Sequence, residues 1–353
     1  MKLLAIIGLV LLHSIASAPE AIARESEEFA DHVNTVHGLS GDSARRLKKI
    51  LIGNPHLTRN IGTEDPLTLQ GPRNSWHMTT RKACIDKVIA TGLIQQDAQN
   101  LKLCGSPWMV PVPAKGQTAS QAKFCIDQFE FPNIPCEYPV VWGSSAVANN
   151  VCRAMGKRAC NSHEWEGACQ GFDAGTDSYK FSIQSRGQRR LKVNADRPVT
   201  FAYSARSSSK DTRKFCGVYS AQDPDIAAPM NQNPSKYFSS IGKSPGCQKS
   251  GSDYESCGSN TWPAGFKFEC RSDVGVFDLH GNVAEVTNLP DSESEVADAR
   301  GHLGGTERKG SFFVYRGDYP DDCRVRQPAE HFGPYETDSM GYYQEGFRCC
   351  KDL

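Results

Sequence analysis

"GVFDLHGNVAEVTN", residues 275–288, places an Asp, a Gly-Asn pair and a Glu within eight residues, between apolar positions of the kind a core buries. Read alone, Asp278 and Glu285 either cap tight turns or aim their oxygens at a common ion. Calcium is the cation that suits such a stretch, because it takes six to eight hard oxygen ligands and a loop bending at Gly can gather them. Asp278 and Glu285 would supply carboxylates, and Gly281 and Val283 backbone carbonyls. His280 reads as a surface or hydrogen-bonding residue, since imidazole is a poor calcium ligand.

The chain around this block has 353 residues, which predicts one large domain and a smaller one. Apolar content of 39% and charged content of 23% suit a globular protein. Forty basic residues balance forty acidic ones, so no global field recruits nucleic acid or an anionic membrane. The basic stretches "ARRLKKILI" (44–52) and "SRGQRRLK" (185–192) read as solvated faces.

Met1-Lys2, the apolar run "LLAIIGLVLL" (3–12) and the small residues after it have the layout of a secretory signal peptide. The run is too short to span a bilayer. Cleavage is expected after Ala21-Ile22-Ala23, because Pro19 follows the alternative Ala18, and residues 1–23 are then a leader. No Cys follows the run to carry a lipid, and no later segment is apolar enough to cross a membrane. The mature protein is expected to be exported, to a periplasmic or extracellular space. Its fourteen cysteines all follow residue 83, and with no CxxC and no HxxxH, disulfides are expected rather than zinc.

Residues 24–104 read as a small, mostly helical region without evident chemistry. Ser43 can cap a helix carrying Leu47, Ile50 and Leu51, ended by Gly53 and Pro55. A second helical segment, "RKACIDKVIATGL", precedes Cys104, and a Cys84–Cys104 bridge would tie it down. From residue 105 to 353 short apolar runs alternate with long Gly-, Ser- and Asn-rich stretches. "WMVPVP" (108–113) and "FCIDQFEFPN" (124–133) read as strands. "GSSAVANNVCRAMG" (143–156) reads as a helix capped by Ser144 or Ser145 and ended by Gly156. "NSHEWEGACQG" (161–171) reads as another, with Asn161 and Glu164 in a capping box and Trp165, Ala168 and Cys169 inward. The fold class expected is α+β, loop-rich and disulfide-stapled.

Four blocks carry a resemblance: "FCIDQFEFPN", "CRAMGKRACNSHEWEGACQG", "GVFDLHGNVAEVTN" and "GFRCC" (346–350), with "KGSFF" (309–313) before the last. In this order they resemble the formylglycine-generating enzyme, or sulfatase-modifying factor, family across most of 105–353. The resemblance implies a C-type-lectin-like domain with short antiparallel sheets, two helices and long ordered loops. It implies Cys152–Cys349 and Cys169–Cys323 bridges; Cys160 and Cys350 lie beside those positions and are expected to form a further pair. Cys125, Cys136, Cys216, Cys247, Cys257 and Cys270 stay unassigned. It also implies a structural calcium site on Asp278, the Gly281 and Val283 carbonyls, and Glu285, with Asn282 holding the turn.

The family's oxidase converts a sulfatase Cys to formylglycine with copper held by two thiolates, a soft pair that suits Cu(I). In "KGSFFVYRGDYPDDCRVRQ" those thiols fall at Val314 and Tyr319, and neither is Cys. Copper is therefore not expected. A remaining pocket would be lined from 311–331 by Ser311, Tyr315, Asp318, Tyr319, Asp321, Asp322, Arg324, Arg326 and His331, none with an assigned catalytic role. The reading favoured is an exported, calcium-stabilised, non-oxidase binding or accessory module, whose partner is an exported protein or a small molecule. Its alternative is an enzyme of the same superfamily that oxidises or matures an exported substrate by altered chemistry.

Overall fold

The computed structural model describes residues 18–58, 61, 77, 79–175, 199–218, 261–288, 306–313, 321–324 and 344–353. The apolar run at 3–12 lies outside them, and no helix among them is long and apolar enough to cross a membrane. The described residues form an α+β structure with six α-helices and two small sheets.

The N-terminal helices are α1 (Ala18–Val36) and α2 (Gly41–Gly53). The start of α2 departs from expectation: Ser40, in extended conformation, is the N-cap and Ser43 lies within the first turn. Gly41 at φ +58 makes the entry before Ser43 is reached. Leu47 and Leu51 are buried at helical spacing as the apolar pattern predicts. Helix α3 (Arg81–Cys84) runs into a π-helical turn, Ile85–Ile89, and α4 (Ala98–Cys104) follows.

Four strands, β1 (Met109–Pro111), β2 (Phe124–Asp127), β3 (Arg158–Ala159) and β7 (Cys349–Asp352), make an antiparallel sheet in the order β1-β2-β7-β3. Helix α5 (Ser145–Ala154) precedes β3 and α6 (Ser162–Gln170) follows it. Ser144 caps α5, Gly156 turns at φ +70, and Asn161 and Glu164 form both halves of the capping box on α6. The second sheet has the order β5-β4-β6, with β4 (Ala284–Asn288) antiparallel to β5 (Thr306–Lys309) and parallel to β6 (Glu345–Gly346).

β7 organises the molecule. Successive side chains on a strand point to opposite faces, so Cys349 and Cys350 staple two different cores. Cys349 bonds Cys152 of α5, in the cluster where α1, α2 and α5 meet Phe131 and Phe347. Cys350 bonds Cys160, in the cluster of Trp165, Ile126 and Leu279 under the sheet. Cys169 bonds Cys323 in that second cluster. These bridges join residues 197, 190 and 154 apart. In the chain-entropy model one loop of that size is worth about 5 kcal/mol, and overlapping loops add less than their sum.

The expected Cys84–Cys104 bridge is not formed. Cys84 pairs with Cys136 and Cys104 with Cys125. The reason is that the helical segment packs outward: Cys84 and Val88 bury against Phe129 and Phe277, while Cys104 joins Met109 at the β1–β2 edge. Residues 24–104 are thus sewn onto the larger region rather than closed on themselves. Cys216 pairs with Cys270, so all twelve described cysteines are bridged, and Cys247 and Cys257 lie outside the described residues.

Candidate functional site

The block 275–288 runs through the centre of the molecule and divides two buried polar clusters. Its turns need positive φ at Gly275 (+92), Asp278 (+58), Gly281 (+79) and Asn282 (+57). Glycine is required at 281, because a Cβ there would lie 2.6 Å from the Gly217 carbonyl oxygen. Asn282 holds the turn as expected: its side-chain oxygen accepts from Trp262 N (2.8 Å) and its amide donates to Glu130 Oε2 (2.6 Å).

On one side lies a cluster of charges around Arg348. The Arg348 guanidinium grips Glu285 through Nε and Nη2 together, and donates to the Asp127 (3.1 Å) and Phe277 (3.0 Å) carbonyls. Trp165 Nε1 donates to Glu285 Oε2 at 2.8 Å. Asp278 accepts from Gly265 N (2.7 Å), and Glu130 accepts from Val283 N (3.0 Å). Asp127 is held by Lys157 (2.6 Å), Asn133 and the Cys349 N–H. All these charged groups are buried. Burial, reinforced by Glu285, pushes Asp278 up to about 7, against the pull of the Gly265 N–H and Arg348. Burial first, then Asp278 and Glu285, raise Glu130 well above the carboxylate range.

This arrangement does not fit calcium on Asp278, the Gly281 and Val283 carbonyls, and Glu285. Three donors from Arg348 and Trp165 already occupy the Glu285 oxygens. The Arg348 guanidinium supplies the positive charge beside Glu285, and burial favours the protonated forms of Asp278 and Glu130.

On the other side lies a relay around His280, which is fully buried and not the surface residue that was one of its two expected readings. The Ala202 N–H donates to His280 Nε2 at 3.0 Å, so Nε2 carries the lone pair and Nδ1 the proton. Nδ1 donates to Asp321 Oδ1 (3.0 Å), and Ser311 Oγ donates to Asp321 Oδ2 (2.5 Å) while accepting from Gly281 N (2.8 Å). The sulfurs of the Cys169–Cys323 bridge lie 3.6 and 3.9 Å from Nε2. Serine, histidine and aspartate are all present, but the order is wrong for a hydrolase: the serine bonds the carboxylate, and no base among the described residues activates it as a nucleophile.

Of the expected pocket residues, the structure brings Ser311 and Asp321 together and places Arg324 Nε 3.9 Å from Glu166, beside the buried Glu166–Lys309 pair. Burial raises the Asp322 carboxyl, against the pull of the Arg324 N–H. Val314, Tyr315, Asp318, Tyr319, Arg326 and His331 lie outside the described residues. Sequence reasoning missed Glu130, Arg348 and Asp127–Lys157. The available signal was an acid inside an apolar run, as in "FCIDQFEF". No protein-family model and no curated protein matches this chain.

Proposed function

We propose that the chain is an exported, disulfide-stapled binding or accessory module of the formylglycine-generating-enzyme type that does not carry the copper oxidase. The observation behind this reading is the state of Cys323, the one cysteine of "KGSFFVYRGDYPDDCRVRQ": it is bridged to Cys169, so it offers no thiolate to copper. The relay beside it supports the same reading, since Ser311, Asp321 and His280 satisfy one another and no activated nucleophile results. Short sheets, the capped pair α5 and α6, and long-range bridges are compatible with the lectin-like domain that the resemblance implies.

The test uses purified, oxidised full chain. Elemental analysis is expected to find no stoichiometric copper, and a Cys-containing sulfatase peptide is expected to stay unoxidised. Stoichiometric copper together with formylglycine formation would overturn the proposal. Because Arg348 neutralises Glu285, millimolar calcium or a chelator is expected to leave the melting temperature unchanged. A shift above roughly 3 °C, about 1 kcal/mol for a domain of this size, would restore the ion to the block.

A further inference from the structure

The Cys169–Cys323 bridge is packed on the His280 imidazole, with both sulfurs within 4 Å of Nε2, the nitrogen that accepts from the Ala202 N–H. Among the described residues, Cys169, His280 and Cys323 are the one set of three metal-type side chains whose donor atoms all lie within 4.8 Å of each other. In the oxidised protein the set is a staple. Its geometry is also that of a ligand set one step away from closure. Zinc bonds thiolate sulfur at about 2.3 Å and imidazole nitrogen at about 2.0–2.1 Å, so a tetrahedral site separates sulfur from nitrogen by about 3.6 Å and the two sulfurs by about 3.8 Å. The two sulfur–nitrogen separations here are 3.6 and 3.9 Å. Two of the three edges are therefore already in place, and only the sulfur–sulfur edge has to open.

The surroundings favour the same outcome. Asp321 accepts from Nδ1–H and so holds the tautomer that presents Nε2 to a metal, the carboxylate–histidine arrangement found behind metal-bound imidazoles. Trp165, Val276, Leu279 and Ala202 share the cluster with the two sulfurs and make its wall apolar. Phe201 and Tyr203 pack against the imidazole at 5.6 and 6.0 Å. Among the described residues, the Ala202 N–H is the one donor that competes for the lone pair.

We propose that Cys169, Cys323 and His280 form a redox-gated site for a thiophilic closed-shell ion, zinc or cuprous copper. A dithiol reductant opens the bridge by exchange: the reductant leaves as its cyclic disulfide, and Cys169 and Cys323 become thiols. Binding the ion releases the two thiol protons to solvent, while neutral His280 contributes Nε2 without losing a proton. A small-molecule disulfide reverses the exchange: it takes up two protons from solvent and leaves as two thiols, the Cys169–Cys323 bond re-forms, and the ion is released.

Anaerobic reduction of the full chain with a phosphine, followed by cobalt(II) as a spectroscopic stand-in for zinc, tests the site. The expected result is one cobalt per chain with sulfur-to-cobalt charge-transfer absorption in the near ultraviolet. Zinc is expected to slow alkylation of Cys169 and Cys323 at least tenfold relative to the other opened cysteines, as read by peptide mass mapping. In His280→Gln both effects are expected to fall tenfold or more. Equal alkylation of this pair with and without zinc, or protection unchanged in His280→Gln, overturns the proposal. Should reduction unfold the chain, Cys169→His decides the matter: it removes the bridge, keeps the others, and offers two imidazoles and one thiol under oxidising conditions. A folded Cys169→His protein that takes up cobalt through His280 supports the site, and one that takes up none overturns it.

Discussion

The two clusters that flank 275–288 are both buried and both hydrogen-bonded, yet they solve burial in opposite ways. Around Arg348 the groups are ionisable: Glu285 pairs with the guanidinium directly, while burial raises Asp278 and Glu130 beside it. Around His280 the imidazole is neutral, and each donor meets one acceptor along a chain from Ala202 to Ser311. Breaking a buried charge cluster leaves uncompensated charge, which costs more than leaving one neutral hydrogen-bonding group without a partner. The first cluster therefore holds the fold together, while the second can tolerate chemical change. That contrast is why the switchable ligand set belongs at His280 and not at Arg348.

Arg348→Met attacks the contrast at its strongest point. It is expected to cost on the order of 3–5 kcal/mol in denaturant unfolding, because buried Glu285 loses the cation that grips it. A loss under about 1 kcal/mol would show that another cation neutralises it.

The pH profile separates the charged cluster from a third buried group. Asp278 is raised from 3.8 to about 7, so between these values the native state holds a proton that the unfolded chain has lost. Its contribution is fully present below 3.8 and is lost as pH rises through 7, an effect of roughly 2–4 kcal/mol. His37 behaves with the opposite sign. Burial, with Lys157 nearby, pushes it down to about 3, while its Nε2 donates to the Pro132 carbonyl at 2.8 Å. Its contribution is present above 6.5 and is lost as pH falls toward 3. Asp278→Asn is expected to flatten the decline in stability toward neutral pH, and His37→Gln to steepen it. Parallel profiles in the two variants would break the assignment.

The neutral relay should yield less. His280→Phe leaves the Ala202 N–H and one Asp321 oxygen unpaired, and is expected to cost about 2 kcal/mol by thermal melting. Ser311→Ala removes one donor to Asp321 and one acceptor for Gly281 N–H, and about 1 kcal/mol is expected. A larger loss from Ser311→Ala than from Arg348→Met would reverse the ranking of the two clusters.

Local signals were legible because they act over a few residues. The Asn161–Glu164 capping box, the Ser144 cap and the Gly156 exit place α5 and α6 at the positions read from the chain. Alternation along β7 puts Cys349 and Cys350 on opposite faces of that strand. The positions carried over from the resemblance likewise anticipated the Cys169–Cys323 pair.

Distant pairings were not legible in this way. Whether Cys84 meets Cys104 or Cys136 depends on which face of the helical segment packs on Phe129. Whether Glu285 faces calcium or Arg348 depends on where β7 enters the sheet, 63 residues away. The sequence by itself determined the helix caps, the turns that require glycine, and the supply of buried acids and thiols. Only the tertiary structure decided which acid meets which cation and which sulfurs face an imidazole. The physical reason is that desolvation acts on whole neighbourhoods: a buried group takes its protonation and its partner from segments that are adjacent in space and remote along the chain.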